Sequence, residues 1–386
     1  MIPRISIVLP TYNRADTILR AIASVRAQAF DDWELLIVDD GSTDDTQARI
    51  QGIDPRVRIF SQENRGVAHA RNRALEASRG ELIAFLDSDD HWTTHHLGLA
   101  SAFFAAHPGE HLYSSELWED FGKGFVVKHF RPEIFEWFPE TAVKIGSSRF
   151  AGAAPRGDGY LRVYAEREEL GAWARGAVDP ALHPGAFHYR GEIFDHWRWG
   201  WLMALMPTVI TRHALETIGP FDARIPVAND FSWLALLCKR FTANYFSLPG
   251  AVKHELAQGG ASLSESHLAT GKTAVQFHRD VLALHDELFW NDAPNDPELS
   301  ALRGFRQYLV AQAAARGGMR DVALEHLRLS RATYPAWEAR ELAWLLELLP
   351  TDALARRAYG ITALPSRIRS RWIHLRDRLA HTAGGP

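Results

Sequence analysis

Cysteine is almost missing from this chain: among 386 residues only Cys238 carries a thiol. No intramolecular disulfide can form, and no thiolate cluster can hold a metal. Such usage fits a reducing cytoplasm. A surplus of positive charge is missing too. Lysine and arginine number 43 against 47 acidic residues, a formal net charge of −4, which argues against a nucleic-acid binder. Long apolar runs are lacking as well. Nothing approaches the roughly 20 residues that cross a bilayer, and the most apolar aromatic stretch, Ile193 to Ile210, is broken by Asp195, His196 and Arg198. The opening residues, MIPRISIVLPTYNR, show no basic segment, apolar core and small-residue cleavage site in succession. No signal peptide is expected. These absences describe a soluble chain, peripheral to a membrane at most. Its length allows one large domain with an appendage, or two domains.

What is present is a regular alternation. Ile5 to Leu9 is a short β-branched run ending at Pro10, as a buried strand should. Thr17 to Ala29 has helical spacing, with Ile18, Ile22 and Val25 on one face and Asp16 available as a cap. Glu34 to Val38, Val57 to Phe60 and Glu81 to Leu86 read as further strands, and Thr43 to Ile50 and Val67 to Ala77 as further helices. Strand and helix therefore alternate from residue 4 to about 106, the pattern of βαβ units and a parallel sheet. Ligands of such sheets sit beyond the carboxyl ends of the strands. The polar residues gather at those ends: Thr11-Tyr12-Asn13, Asp39-Asp40 and Asp87 to Asp90.

From about 107 to 205 the pattern dissolves into glycine, proline and aromatics, including Trp118, Trp137, Trp173, Trp197, Trp199 and Trp201, and no elements are assigned. Thr208 to Thr211 reads as a strand, followed by a short helix from Arg212 and a turn at Gly219 to Asp222. Phe231 to Arg240 reads as a helix started by Asn229 or Asp230. Beyond about 265 the chain is almost wholly helical, with a hairpin of Phe305 to Arg316 and Asp321 to Thr333 around Gly317-Gly318. One such hairpin without a second copy is no repeat array.

Three groups of residues carry chemistry. Asp87-Ser88-Asp89 follows a buried strand, and two carboxylates so placed can share a hard divalent cation and a ribose hydroxyl; Mg²⁺ or Mn²⁺ accepts oxygen ligands and diphosphate oxygens together. Asp-Ser-Asp is also good turn chemistry, but its place after ELIAFL favours the site. At the second acidic strand end, Asp39 could accept a hydrogen bond from a base N–H and Tyr12 could offer a stacking face. The plain alternative is that Asp40 and Ser42 cap the next helix. Arg65, Arg71 and Arg73 surround the start of the third helix, where guanidinium groups and the helix end both favour phosphate; a solvated helix face is the rival account of Arg65 and Arg73.

The segments ISIVLPTYNRADTILRAIASVRAQ, LLIVDDGSTDDT and ENRGVAHARNRALEASRGELIAFLDSDDHW resemble, in order and spacing, the donor-binding half of a family 2 glycosyltransferase. The resemblance covers about residues 4 to 106, and more weakly 205 to 265. It implies an α/β GT-A fold, a Rossmann-like mostly parallel sheet flanked by helices, with a C-terminal all-helical extension. Residues 1–265 would form the glycosyltransferase domain, 1–106 binding the nucleotide sugar and 107–265 the acceptor and catalytic base, and 266–386 the helical region. The donor site would comprise Pro10, Thr11, Tyr12, Arg14, Asp39, Gly66, Arg71, Asp87 and Ser88. Thr11, Tyr12 and Asp39 would meet the base, commonly uracil; Arg71 would approach the diphosphate and Asp87 the ribose. Asp89 would hold Mn²⁺ or Mg²⁺. The family's Glu-Asp pair corresponds to Asn229-Asp230, making Asp230 the general base. His254 resembles the late histidine that completes the metal or phosphate site, though a lone histidine is also an ordinary structural residue.

The implied activity is inverting transfer of a sugar from a nucleoside-diphosphate sugar, a UDP-sugar, to a hydroxyl of a glycan or glycolipid in cell-surface polysaccharide assembly. The rivals are a degenerate nucleotide-sugar-binding module, which Asn229 keeps open, and a sugar nucleotidyltransferase. The latter needs a glycine-rich basic loop after the first strand, where this chain has Pro10-Thr-Tyr-Asn-Arg14. Near the C-terminus Ile368, Trp372, Leu375 and Leu379 share a helical face beside Arg367, Arg369, Arg371, Arg376 and Arg378. That pattern could touch anionic lipid; a helix packed on the protein body is the plainer reading.

Overall fold

In a computed structural model of the chain, the described residues are 2–120, 126–128, 159–178, 186–198, 202–225, 228–254 and 271–334, with 339, 342, 343 and 346. They divide into two compact units, one drawn from residues up to 260 and one from 261 onward. The C-terminal basic helix expected after residue 365, and Trp137, Trp199 and Trp201, lie outside the described residues.

The first unit begins with the expected alternation: β1 (Ile5–Thr11), α1 (Ile18–Arg26), β2 (Trp33–Asp39), α2 (Thr46–Ile50), β3 (Val57–Ser61), α3 (Val67–Ala77) and β4 (Leu82–Phe85). These four strands are parallel, in the order β3-β2-β1-β4. Every residue of β1 and β2 is buried, which is why both read as unbroken apolar runs rather than alternating ones. After two crossovers to one side, the chain passes back over β1 to place β4 on its other side. The reversal opens a crevice at the carboxyl ends of β1 and β4, the switch point where such sheets bind ligands.

Two helix starts differ from expectation. Helix α1 begins at Ile18, with Thr17 at its boundary and no side-chain cap; Asp16 is exposed in the preceding turn. Helix α2 begins at Thr46 rather than Thr43, because Asp44 turns back to accept from the Thr46 N–H at 2.9 Å. Asp40 and Ser42 do not cap it. Both are drawn into contacts across the strand ends.

Beyond β4 come β5 (His91–Trp92), α4 (His96–Ala106), β6 (Leu112–Asp120), β7 (Val126–Lys128), β8 (Glu166–Glu169), β9 (Phe187–Gly191), β10 (Thr208–Thr211), α5 (Arg212–Ile218), α6 (Asn229–Arg240) and β11 (Ala243–His254). The sheet continues from β4 through β10, β6, β11 and β9 to β8, with β5 on β11 and β7 on β6. Only β6 and β11 run parallel on this side; the other pairings are antiparallel. The sheet is thus parallel in its first half and mixed in its second. Short 3₁₀ helices at Gly159–Arg162, Ala172–Gly176 and Phe194–Arg198 hold Tyr160, Trp173 and Trp197 of the aromatic stretch.

Helix α6 is held by its aromatic face. Trp233 stacks on Phe221, with centroids 4.4 Å apart, and meets Phe85 of β4 edge-on at 5.2 Å. Its indole N–H donates to the Gly219 carbonyl at 3.0 Å. Buried aromatic contacts of this kind add to the area term, and here they fix the first turn of α6 against the end of β4.

The second unit holds α7 (Gly271–His285), α8 (Pro297–Gly317) and α9 (Arg320–Thr333). Asp296 caps α8 by accepting from the N–H groups of Glu298 and Leu299, with Pro297 at the first helical position where its missing N–H costs nothing. Gly318, at φ 76°, closes α8 as a left-handed C-cap and turns the chain into α9, the expected hairpin. Among the described residues, no helix is long and apolar enough to cross a membrane.

Candidate active site

Three strand ends converge. At the end of β1, Pro10 and Thr11 are buried and Tyr12 is 43% exposed. Asn13 then takes φ 50°, a left-handed conformation that asparagine tolerates better than most residues. Its N–H donates to Ser42 Oγ at 2.9 Å and its Oδ1 accepts from the Thr43 N–H at 2.8 Å. The loops after β1 and β2 are thereby tied together.

At the end of β2 the two aspartates divide their work. Asp39 accepts from the Ser42 N–H at 3.1 Å and hydroxyl, and from Gln47 Nε2 at 2.6 Å. Asp40 accepts from Gln62 Nε2 and from the N–H groups of Arg65 and Gly66 at 2.8–2.9 Å. It therefore shapes the loop before α3 instead of capping α2. Gly41 has φ 79°, and a Cβ there would lie 2.9 Å from the Asn64 backbone nitrogen; only glycine suits both demands. Gly66, at φ 91°, opens α3. Arg65 is exposed and Arg73 donates to the Ser61 carbonyl, so neither faces the crevice by its own contacts.

Arg71 differs. It is buried on the inner face of α3, where Ala68, Ala70 and Ala74 let the helix lie close to the sheet. Its Nη2 donates to Asp87 Oδ1 and its Nη1 to Asn229 Oδ1, both at 2.9 Å. One guanidinium thus joins α3, the end of β4 and the first residue of α6. Asp230, next in α6, is half-buried. Burial raises its carboxyl above the usual range; Arg71 opposes the rise and Asp87 adds to it.

The segment after β4 is dense with charge. Asp89 Oδ2 accepts from Arg14 Nε at 3.1 Å, and Arg20 donates to the Asp89 carbonyl. Burial and the Asp87 carboxylate push the Asp89 carboxyl up, against the pull of Arg14. Asp90, buried and accepting from the His254 N–H at 2.8 Å, is pushed well up by burial and by Asp89 and Asp87. Ser88 is buried between them.

His254, at the end of β11, has its Nε2 2.7 Å from His91 Nδ1 and its Nδ1 3.4 Å from Asp120 Oδ2. Burial, then the charge of Arg20, lowers its tendency to protonate. His91 and Asp120 went unmarked in the sequence, as did Asn72, whose amide exchanges two 2.8 Å hydrogen bonds with the Phe221 backbone. A histidine beside an acidic triplet was visible; its pairing across some 160 residues of chain was not.

No group of three or more histidine, cysteine, aspartate or glutamate side chains forms a protein-only metal cage among the described residues. The donor set instead suits a cation that takes one or two carboxylates and fills its shell with phosphate oxygens and water, the habit of Mg²⁺. Asp89, with the Asp87 carboxylate close enough to raise it, offers one such carboxylate, although Arg14 occupies its Oδ2.

The family model described as glycosyl transferase family 2 matches residues 6–116, the stretch that contains β1 to β5 and the acidic strand ends. Residues 6–116 are a family 2 glycosyltransferase domain. The glycosyltransferase segment is 46% identical over 94 residues to a putative teichuronic acid biosynthesis glycosyltransferase, TuaG, of Bacillus subtilis (strain 168), covering 23% of this chain and 37% of that protein. It is 43% identical over 95 residues to the UDP-Glc:alpha-D-GlcNAc-diphosphoundecaprenol beta-1,3-glucosyltransferase WfgD of Escherichia coli, covering 24% of this chain and 38% of that one. The alignments thus span little more than a third of either relative. Across the wider chain, the structure of S. aureus TarS 1–349 in complex with UDP-GlcNAc is similar in fold, with a TM-score of 0.53 at 16% identity, covering 93% of this chain and 90% of that one. The fold is that of a GT-A glycosyltransferase.

Proposed function

We propose that this chain is an inverting, metal-dependent glycosyltransferase that moves a sugar from a UDP-sugar to a hydroxyl of a glycan or glycolipid acceptor, in assembly of a cell-surface polysaccharide. The observation that carries this reading is the Arg71 bridge, which joins Asp87 at the acidic end of β4 to Asn229, the chain neighbour of the proposed base Asp230. The matching relatives, named for teichuronic acid biosynthesis and for glucosyl transfer from UDP-Glc, support the setting and the donor class.

Asp230 acts as general base. A carboxyl raised by burial is a better proton acceptor than an ordinary aspartate, provided it stays ionised at the working pH. It takes the proton of the acceptor hydroxyl as the oxygen attacks the anomeric carbon from the face opposite the diphosphate. Asp87 holds the ribose, Tyr12 stacks on the base and Asp39 accepts from it, with Pro10, Thr11 and Ser88 shaping the walls. Arg14, Arg71 and the Gly66 end of α3 receive the diphosphate. Asp89 would hold Mn²⁺ or Mg²⁺, with His254 as the second protein ligand; the cation would neutralise the leaving diphosphate. Donor and acceptor held in line supply the remaining advantage.

Calorimetric titration with UDP, GDP and TDP, each with and without Mn²⁺, tests this. UDP should bind, need the metal, and fail to show that need in Asp89→Ala. Preference for GDP or TDP would overturn the base assignment at Asp39. Absence of metal-dependent binding for all three would leave a degenerate binding module as the better account.

A further inference from the structure

Arg71 and Asn72 are neighbours on α3, yet successive helical side chains point about 100° apart, and the two reach different parts of the segment that leads into α6. Arg71 meets Asn229 at the start of that helix. Asn72 meets Phe221, in the turn after α5. Both bonds of Asn72 go to this one residue: its Nδ2 donates to the Phe221 carbonyl and its Oδ1 accepts from the Phe221 N–H, each at 2.8 Å. A side-chain amide offers a donor and an acceptor side by side, and the two bonds settle which end is oxygen. The arrangement copies the exchange of N–H and C=O between paired residues of an antiparallel ladder.

Phe221 is also the centre of a packed group. It is 2% exposed. Trp233 of α6 stacks on its ring at 4.4 Å, Phe85 of β4 meets it edge-on at 5.9 Å, and the Arg71 guanidinium carbon lies 5.4 Å from its centroid. The Trp233 indole N–H donates to the carbonyl of Gly219 in the same turn. Direct contacts therefore run from Asn72, through the backbone and ring of Phe221, to Trp233. That residue lies just under one helical turn beyond Asp230.

We propose that Asn72 is a positioning residue: by gripping the backbone of Phe221 it sets where α6 starts against α3, and hence where Asp230 stands relative to the donor residues on β1, β2 and β4. The inference rests on the reading of Asp230 as base, but the hold on α6 can be measured without turnover.

The test compares wild type with Asn72→Ala, as full chains, by amide hydrogen exchange, by calorimetric affinity for UDP with Mn²⁺, and by kcat at saturating donor. Exchange at Phe221 and through residues 229–235 should quicken about ten-fold, roughly the loss of one net hydrogen bond, while the amides of β1 and β2 keep their rates. Transfer should fall about 10- to 100-fold in kcat, with UDP affinity within a few-fold of wild type. Faster exchange confined to Phe221 overturns the proposal, since Asn72 would then hold only its own turn. Equal losses of UDP affinity and kcat overturn it too, by making Asn72 a support of the donor pocket. Should Asn72→Ala not fold, Asn72→Asp keeps the acceptor for the Phe221 N–H and removes the donor; it must show the same pattern, and wild-type exchange in α6 is equally fatal. If exchange changes as expected while wild-type protein transfers no sugar from any donor, the hold on α6 is upheld and the base assignment falls.

Discussion

At the scale of single side chains, the site depends on a few charges with more than one claimant. Asp230 is the clearest case, being pushed up by burial and Asp87 and held down by Arg71. If it takes the acceptor proton, Asp230→Asn should lose about 10²- to 10⁴-fold in transfer while the calorimetric affinity for UDP with Mn²⁺ stays within a few-fold of wild type. Near-normal turnover would remove Asp230 from the mechanism. Some of these residues were legible in advance. Asp87, Asp89, Arg71 and Asp230 stand in motifs whose spacing resembles a known family, and the structure brings Arg71, Asp87 and residue 229 into one hydrogen-bonded bridge. Others were not legible. Asp40 looked like a helix cap because aspartate before a helix usually is one; its partners are the N–H groups of Arg65 and Gly66, some 25 residues away, and local sequence cannot announce so distant a bond. His91 and Asp120 meet His254 only because β5 and β6 both border β11.

At the scale of elements, the first half of the sheet could be read because β1, β2 and β4 are buried along their whole length and its turns are punctuated by glycine and aspartate. The second half could not. Strand β11 contains Pro249 and Gly250, and its register against β6 shifts on either side of Pro249, so twelve strand residues do not read as one apolar run. Strand β8, Glu-Arg-Glu-Glu at 166 to 169, is wholly exposed and charged, a composition that suggests no strand at all. Helix α6 was legible, and its anchoring has consequences for the chemistry. Trp233 is 2% exposed against Phe221 and Phe85. Trp233→Ala should cost about 3–5 kcal/mol of stability in denaturant unfolding. It should also lower transfer more than UDP binding, because the first turn of α6 carries Asp230 but β1, β2 and β4 carry the proposed donor residues. Equal losses of both would mean that the helix supports the donor pocket as well.

At the scale of the whole molecule, the amino end of the sheet is tied by a second charged group far along the strands from the crevice. Glu34 of β2, 3% exposed, accepts from Ser6 of β1 at 2.7 Å, Arg58 of β3 at 3.0 Å and Arg79 before β4 at 2.7 Å. Burial alone would raise its carboxyl, yet the hydrogen bonds from Arg79, Ser6 and Arg58 outweigh burial and hold it below the usual range. A carboxyl lowered in the folded state stabilises the protein above its unfolded pKa, and that contribution is lost as pH falls through the folded value. Glu34→Gln should therefore lower stability by about 1.5–3 kcal/mol near pH 7, and thermal melts of variant and wild type should converge below about pH 4. A gap independent of pH would point to packing rather than charge.

The pairing of Arg14 with Asp89 bears on the order in which such a pocket fills. Asp89 already has a positive companion, so a divalent ion arriving alone would have to evict a guanidinium and would gain only the difference between two attractions. A diphosphate changes that balance by offering the displaced arginine an anion of its own. Cation and nucleotide would then each raise the affinity for the other by the same factor, as linkage requires. The arginine would behave as a placeholder, keeping the acidic pocket quiet toward stray metal and surrendering its seat only to a cation that comes with a nucleotide.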